Sequence, residues 1–250
     1  MTTTDQPYKF TTSFYPPQIL TTATTNGDKN VLNTSNTQQP LTNQIYNDAL
    51  FIRNEVFVKE QGCSAEGEVD DDDGRSWGWV VYALPQAYQD QDQDLEKDED
   101  GGLRKGTPVG VIRLVPPPHM SHSHLLHPTS STEKVGYDYT HEPYIKITRV
   151  AILPSFRGKG ISHLLMRTVE SWAQSNRDRI GEMYSLIARE DGKSERETKK
   201  WNGLIGLHAQ VQVEGMYARF GYETDSTMGR WDEEGIEHVE LGEDREDREH

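Results

Sequence analysis

The sequence predicts an α/β (α+β) fold, in which a mixed central sheet is flanked by helices within one layered domain. Three observations lead there. Apolar runs of strand length, rich in β-branched and aromatic residues, follow one another along the chain. A strand, a short turn and a strongly amphipathic helix then come in succession between Tyr144 and Ala173. Short strands that read as a hairpin close the sequence, and such a series is best buried as a sheet with helices packed on it.

Taken in order, Tyr8 to Phe14 reads as a first strand. Asn43 to Lys59 carries Ile45, Ala49, Ile52, Val56 and Phe57 at helical spacing. Trp77 to Ala83 and Val109 to Val115 are strands whose weak points are Gly78 and Gly110. In Tyr144 to Leu153, Ile145, Ile147 and Arg149 alternate with Lys146, Thr148 and Val150, and Pro154 stops the run. Ile161 to Ala173 places Ile161, Leu164, Leu165, Thr168, Val169 and Trp172 on one face of a helix. Leu204 to Gln210 is a strand, Gln212 to Phe220 a helix, and Tyr222 to Thr224 with Met228 to Trp231 the terminal hairpin.

Hydrophobic residues make up only 33% of the 250, so part of the chain must be polar loop rather than core. The surplus is assigned to residues 1–42, a first strand and a Thr/Asn-rich segment, and to a charged tail at 242–250. Between them a domain at 43–241 carries insertions near 86–106, 116–143 and 190–203. The net charge of −15 repels phosphate backbones and argues against nucleic acid as a partner. No apolar run approaches the roughly 18 residues of a membrane span, so no membrane partner is expected. The single cysteine, Cys63, excludes an intramolecular disulfide and reads as a small buried or semi-buried thiol. The N-terminus has neither a basic start nor an apolar stretch, and its first arginine is Arg53. A cytoplasmic protein is expected, with the nucleus left open and a homodimer neither required nor excluded.

The most informative stretch is ITRVAILPSFRGKGISHLLM. A strand ends at Pro154, a basic and glycine-bearing turn follows, and a helix begins. The first amides of a helix lack internal partners and, with the helix dipole, form a site for anions. Gly158 and Gly160 remove side chains where a phosphate would approach, while Arg157 and Lys159 add positive charge. The spacing is neither that of a Walker loop nor that of the dinucleotide fingerprint.

Arg157-x-x-Gly160-x-Ser162, after a strand ending Arg149-Val150-Ala151-Ile152, resembles the acetyl-CoA pyrophosphate loop of the GNAT acyltransferase superfamily. That family's pattern is Arg/Gln-x-x-Gly-x-Gly/Ala, and Ser162 replaces one small residue with another. Downstream, GMYARFGY at 215–222 is similar to the family segment in which a Tyr precedes Gly-Phe or Gly-Tyr. Gln210 stands seven residues before Tyr217, where many members carry an Asn. The run from Arg53 to Cys63 with the acids through Asp73, Leu207-His-Ala-Gln210, and Glu234-Gly-Ile-Glu-His238 resemble the ElaA-like branch. Glu237 stands where that branch usually has Pro.

The resemblance implies acetyl-CoA as co-substrate, with its arm along the backbone of Val150, Ala151 and Ile152. The diphosphate would lie on Arg157, Gly158, Lys159, Gly160, Ile161 and Ser162, with Gln210 a further contact. Tyr217 would be the general acid for the departing thiolate, a phenol of pKa about 10 being a suitable proton source. The general base stays open among His238, His208 and Glu142 acting through water. Glu66, Glu68 and Asp70 to Asp73 follow the first helix, where the family builds its acceptor wall. Glu66, Asp70 and Glu142 are the candidate acceptor contacts, against the alternative of a solvated loop. His119, His122, His124 and His127 lie in a Pro- and Ser-rich stretch without matching carboxylates, so no metal is expected and a solvated loop is the reading.

These features imply an N-acetyltransferase acting on the primary amine of a small molecule by direct attack in a ternary complex. Amino sugars such as glucosamine come first and polyamines second. A protein lysine or N-terminal acetyltransferase is the rival enzyme, and a non-catalytic acetyl-CoA-binding module the rival of another class.

Overall fold

The computed structural model describes residues 7–18, 39–85, 106–121, 136–194, 196–226 and 229–243. The Thr/Asn-rich segment, nearly all of the acidic insertion, His122, His124, His127 and the tail beyond Glu243 lie outside them. The chain divides into two compact units, 1–113 with 149–167, and 114–148 with 168–250.

In the first unit β1 (Tyr8–Tyr15) pairs antiparallel with β2 (Trp77–Pro85), from Tyr8 opposite Pro85 to Tyr15 opposite Gly78. β3 (Thr107–Val115) and then β6 (Ile145–Ile152) continue the order, and β6 gives its last four residues to this unit. Gly78 and Gly110 do not end the strands that hold them. A Cβ on Gly78 would stand 2.0 Å from the Tyr15 ring, and one on Gly110 would stand 2.8 Å from Ile161 Cγ2. They are sites of close approach, which is why these strands tolerate glycine.

The helix α1 (Gln39–Arg53) passes without a break into a π-helical segment, Asn54–Glu60. Its Ile45, Ala49, Ile52 and Val56 pack with Tyr15, Val80, Tyr82, Val111 and Ala151 into one apolar cluster. Ile52 and Ala49 are fully buried, so the 3.6-residue stripe read from the sequence is the core face. The wider turn shows in its last bonds, from the Gln61 amide to Val56 O and from Cys63 to Phe57 O, and Gly62 at φ 78° ends it.

In the second unit the first half of β6 pairs in parallel with β7 (Ile205–Gln210), from Ile145 opposite Ile205 to Ile147 opposite Leu207. β10 (Ile236–Glu243) lies antiparallel on β7, and β8 (Glu223–Thr224) and β9 (Arg230–Glu233) pair with β10. The terminal hairpin is therefore β9–β10, not 222–224 with 228–231. Its two-residue turn, Glu234–Gly235, has φ 54° and 82°, the left-handed pair that lets strands of native twist meet. The expected helix 212–220 is a 3₁₀ turn, Val211–Val213, followed by a short α-helix, Glu214–Ala218.

The helix Ile161–Ser175, hereafter α2, matches the sequence reading, and Arg177–Glu190 forms a further helix, α3. α3 buries Ile180, Met183, Tyr184, Ile187 and Ala188, a spacing as regular as that of α1. The remaining strands, β4 (His119–Met120) and β5 (Tyr137–Asp138), form a small antiparallel pair. His119 corrects an expectation: it is buried rather than solvated, with Nε2 2.9 Å from Tyr144 O and its ring on that of Tyr144. Among the described residues no helix is long and apolar enough to cross a membrane.

Candidate functional site

Arg149 is the first departure from regular strand. Its φ of 52° is left-handed, a conformation that non-glycine residues adopt only when their surroundings hold them there. Its side chain is held by the loop that follows α1: Nη2 donates to Asp70 Oδ2 at 3.0 Å and to the carbonyls of Gly67 and Glu68 at 3.2 Å. The ladder of β6 with β7 covers only Ile145 to Ile147, so the following backbone, Val150 to Ile152, lies beyond its end.

Beyond Arg75, which pairs with Asp72 close by in sequence, the same acidic loop takes two more arginines. Arg113 grips both oxygens of Asp70 at 2.7 and 2.8 Å, and Arg53 donates to Asp73 Oδ1 at 2.6 Å and also to Glu68. Burial pushes Asp70 and Asp73 upward, but the guanidiniums more than offset this and hold both carboxyls below the usual range. Three arginines against Glu68, Asp70 and Asp73 leave no net formal charge. The acid run is thus a folded ion-pair network and not a solvated loop. Asp70 is engaged by Arg113 and Arg149, whereas Glu66 and Asp71 are exposed.

After β6, a 3₁₀ turn at Pro154–Phe156 leads to an extended Arg157, and Gly158 and Gly160 have φ of 73° and 80°. A Cβ added at either glycine would meet nothing within 4 Å, so the main chain there is open on the outside. α2 starts at Ile161, and its first internal bond is Leu164 N–H to Gly160 O, 3.0 Å. The amides just before Leu164 therefore have no partner within the helix. This fits an anion such as a diphosphate: bare, glycine-shaped backbone leads into a helix N-terminus.

Arg157 behaves differently from the expectation of a cation awaiting phosphate. Nη1 and Nη2 form a fork on Glu60 at 2.7 and 2.6 Å, and Nε donates to Ile152 O at 3.0 Å. It ties the end of the π-helical segment to the end of β6, and its guanidinium holds the Glu60 carboxyl below the usual range. Lys159 is the turn's other cation and is half-buried; Ser162 is half-buried and Ile161 buried.

In the second unit, β7 and β10 bring Gln210 opposite His238, and His208 opposite Glu240. Residues opposed in register share a face, so these four side chains stand on one side. Leu207, Ala209, Val239 and Leu241 fill the core on the other. Trp231 of β9 is also opposite His238, and its ring centroid lies 5.1 Å from that of His208 and 6.1 Å from that of His238. His238 Nδ1 is 2.8 Å from Ile236 O. A carbonyl only accepts, so Nδ1 carries the proton and the lone pair of the neutral ring is on Nε2, the form a base requires. Gln210 accepts from Gln212 Nε2 at 2.7 Å.

Tyr217 sits in the short helix Glu214–Ala218, buried, with its ring edge-on to Tyr222 at 6.3 Å. Burial pushes its hydroxyl well above the usual phenol range, so it keeps its proton at neutral pH. Glu142 is exposed and lines a hollow with His119, Asp138, His141, Tyr144 and Tyr184. Among the described residues no group of three or more His, Cys, Asp or Glu side chains could hold a metal ion. The sequence reading missed Glu60, Trp231, Glu240 and the arginine network. Glu240 had one signal, a lone acid among the alternating residues His238 to Leu241.

The Acetyltransferase (GNAT) family model matches residues 66–197, just over half of the chain. An uncharacterized N-acetyltransferase of Bacillus subtilis (strain 168), YjcF, is 27% identical over 197 residues, covering 79% of this chain and 91% of that protein. Among solved structures, an acyl-CoA N-acyltransferase from Pseudomonas aeruginosa aligns at TM-score 0.48 and 18% identity, over 95% of this chain and 99% of that one. ElaA of Escherichia coli aligns at TM-score 0.46 and 16% identity, with the same coverage of each chain.

Proposed function

Since the chain belongs to the GNAT acetyltransferase family, an N-acetyltransferase family that uses acetyl-CoA as co-substrate, we propose that it acetylates the primary amine of a small molecule by direct attack in a ternary complex. An amino sugar such as glucosamine is placed ahead of a polyamine. The observation that carries the reading is the turn at Gly158 and Gly160, whose open left-handed backbone runs into the first turn of α2.

The amides from Arg157 to Ser162 would hold the diphosphate, and the main chain of Val150, Ala151 and Ile152 the arm, with Gln210 a further contact. Bound there, the thioester supplies an activated acetyl group. The chain's own residues have the remaining work. His238, through Nε2, or His208 takes a proton from the acceptor ammonium, because only the neutral amine can attack. Tyr217 holds a proton at its hydroxyl oxygen for the leaving group. Fixing the reactants against one another is a large contribution at a site of this kind. The neutralised acid network shifts attraction of a cationic acceptor from Asp70 to the exposed Glu66 and Glu142.

The test pairs calorimetry with a turnover assay. Acetyl-CoA is expected to bind the wild type and to bind Gly160→Asp much more weakly, since a carboxylate at that turn would crowd and repel phosphate. Thiol release is then followed with glucosamine, glucosamine phosphate, spermidine and a lysine peptide. Binding without acceleration by any amine would favour the non-catalytic module, and acceleration by the peptide alone the protein acetyltransferase.

A further inference from the structure

Glu240 is the one member of the β7–β10 polar face that the reading above leaves without a role. It is 8% exposed, whereas His208 and His238 are only half-buried. His208 is its direct neighbour across the ladder. Among the described residues, the charged groups around it are few. Lys146 of β6 stands on the same face, opposite Gly206, and Glu223 of β8 is opposite Gly242. His238 lies two residues back on its own strand, and Asp225 follows β8, its amide donating to the Glu240 carbonyl at 2.9 Å. Burial and the Asp225 charge push the Glu240 carboxyl up, Lys146 pulls it down, and the outcome is about 7. Burial therefore lets this carboxyl take up a proton well above the ordinary glutamate range.

We propose that Glu240 receives, through His208, the proton removed from the acceptor ammonium. It is a positioning residue acting through the imidazole. The inference rests on the function proposed above and adds to it the carboxylate that keeps the base in use. In balance, the N–H bond of the ammonium breaks and an N–H bond forms on the His208 ring, leaving the lone pair on the amine. The imidazolium then passes a proton to the Glu240 carboxylate, forming an O–H bond and restoring the neutral ring. A carboxylate opposite His208 also stabilises the imidazolium that forms there, as a glutamine would not.

The experiment is Glu240→Gln, with Glu240→Asp as the conservative partner. Nuclear magnetic resonance titration of wild type and both variants, without any ligand, follows the Glu240 carboxyl and the His208 ring. A carboxyl titrating near 7, and a His208 midpoint that falls in Glu240→Gln and recovers in Glu240→Asp, are expected. In turnover, kcat at pH 8 should be down at least tenfold in Glu240→Gln and partly restored in Glu240→Asp, with acetyl-CoA affinity unchanged. A carboxyl titrating near 4.5, an unmoved His208 midpoint, or a kcat at pH 8 that Glu240→Gln leaves at the wild-type value each overturns the proposal. Because the titrations need no co-substrate, they report on Glu240 even if the wild type proves to bind no acetyl-CoA, an outcome that would instead sink the function itself.

Discussion

A tyrosine that is to deliver a proton must first keep it, and Tyr217 does so by burial alone. Its hydroxyl is held protonated well beyond neutral pH, and the ring is fixed edge-on against Tyr222. That stabilises the proton's place but weakens Tyr217 as an acid in the resting protein, so it would act only when strong negative charge develops beside it. Tyr217→Phe removes one oxygen and leaves the buried ring, so little loss of stability is expected. Turnover should fall by about two orders of magnitude, at the low end of what general acid–base groups contribute, with the KM for acetyl-CoA changed less than threefold. Steady-state kinetics at saturating amine reads this directly, and a kcat equal to the wild type would leave Tyr217 as packing. Arg157 teaches the opposite lesson at the same scale. Its residue type and place suit a phosphate ligand, yet its side chain is engaged with Glu60 and Ile152, partners no local pattern could reveal.

Among the elements, β6 carries the most consequence, because a left-handed residue in its middle coincides with the loss of its ladder to β7. Arg149 tolerates that backbone while its guanidinium is held by Glu68 and Asp70. Two substitutions separate the ion pairs from the strain. Arg149→Ala and Arg149→Gly lose the same ion pairs, but alanine keeps the left-handed cost of roughly 1–2 kcal/mol that glycine escapes. Glycine in turn gives the unfolded chain more freedom, a loss of about 0.5–1 kcal/mol. The balance makes Arg149→Gly the more stable of the two by about 1 kcal/mol in urea unfolding, and equal stabilities would mean the strain is not there. Strands with regular alternation, such as Ile145 to Ile147, were legible because period two survives any packing. β10 was not, since its partner turn Glu234–Gly235 lacks the Asn-Gly or Asp-Gly form that marks a hairpin. α3 went unread, because its charged ends hid the helical spacing of Ile180, Met183, Tyr184 and Ile187. The network of Arg53, Arg113 and Arg149 joins positions far apart in the chain, so the acids that face it read as a charge run until the fold brought the arginines to them.

At the scale of the whole molecule, two sets of carboxyls pull stability in opposite directions with pH. Asp70 and Asp73 are held below their usual 3.8, so their contribution is present above that value and is lost as pH falls through their folded range. Glu240 is raised from 4.5 to about 7, so the folded chain binds the extra proton between those values. Its contribution is complete below 4.5 and disappears as pH climbs through 7, a difference of about 3 kcal/mol. The net charge of −15 acts in the same sense, because self-repulsion grows as pH moves above the isoelectric point near 5.0. Greatest stability is therefore expected at about pH 4–5, well below neutrality. Glu240→Gln cannot ionise, so it should melt with a much flatter profile from pH 5 to 8 and exceed the wild type at pH 8 while matching it near pH 5. Thermal unfolding followed by circular dichroism at fixed ionic strength checks this. Parallel profiles would mean that charge repulsion, rather than one buried carboxylate, sets the alkaline slope.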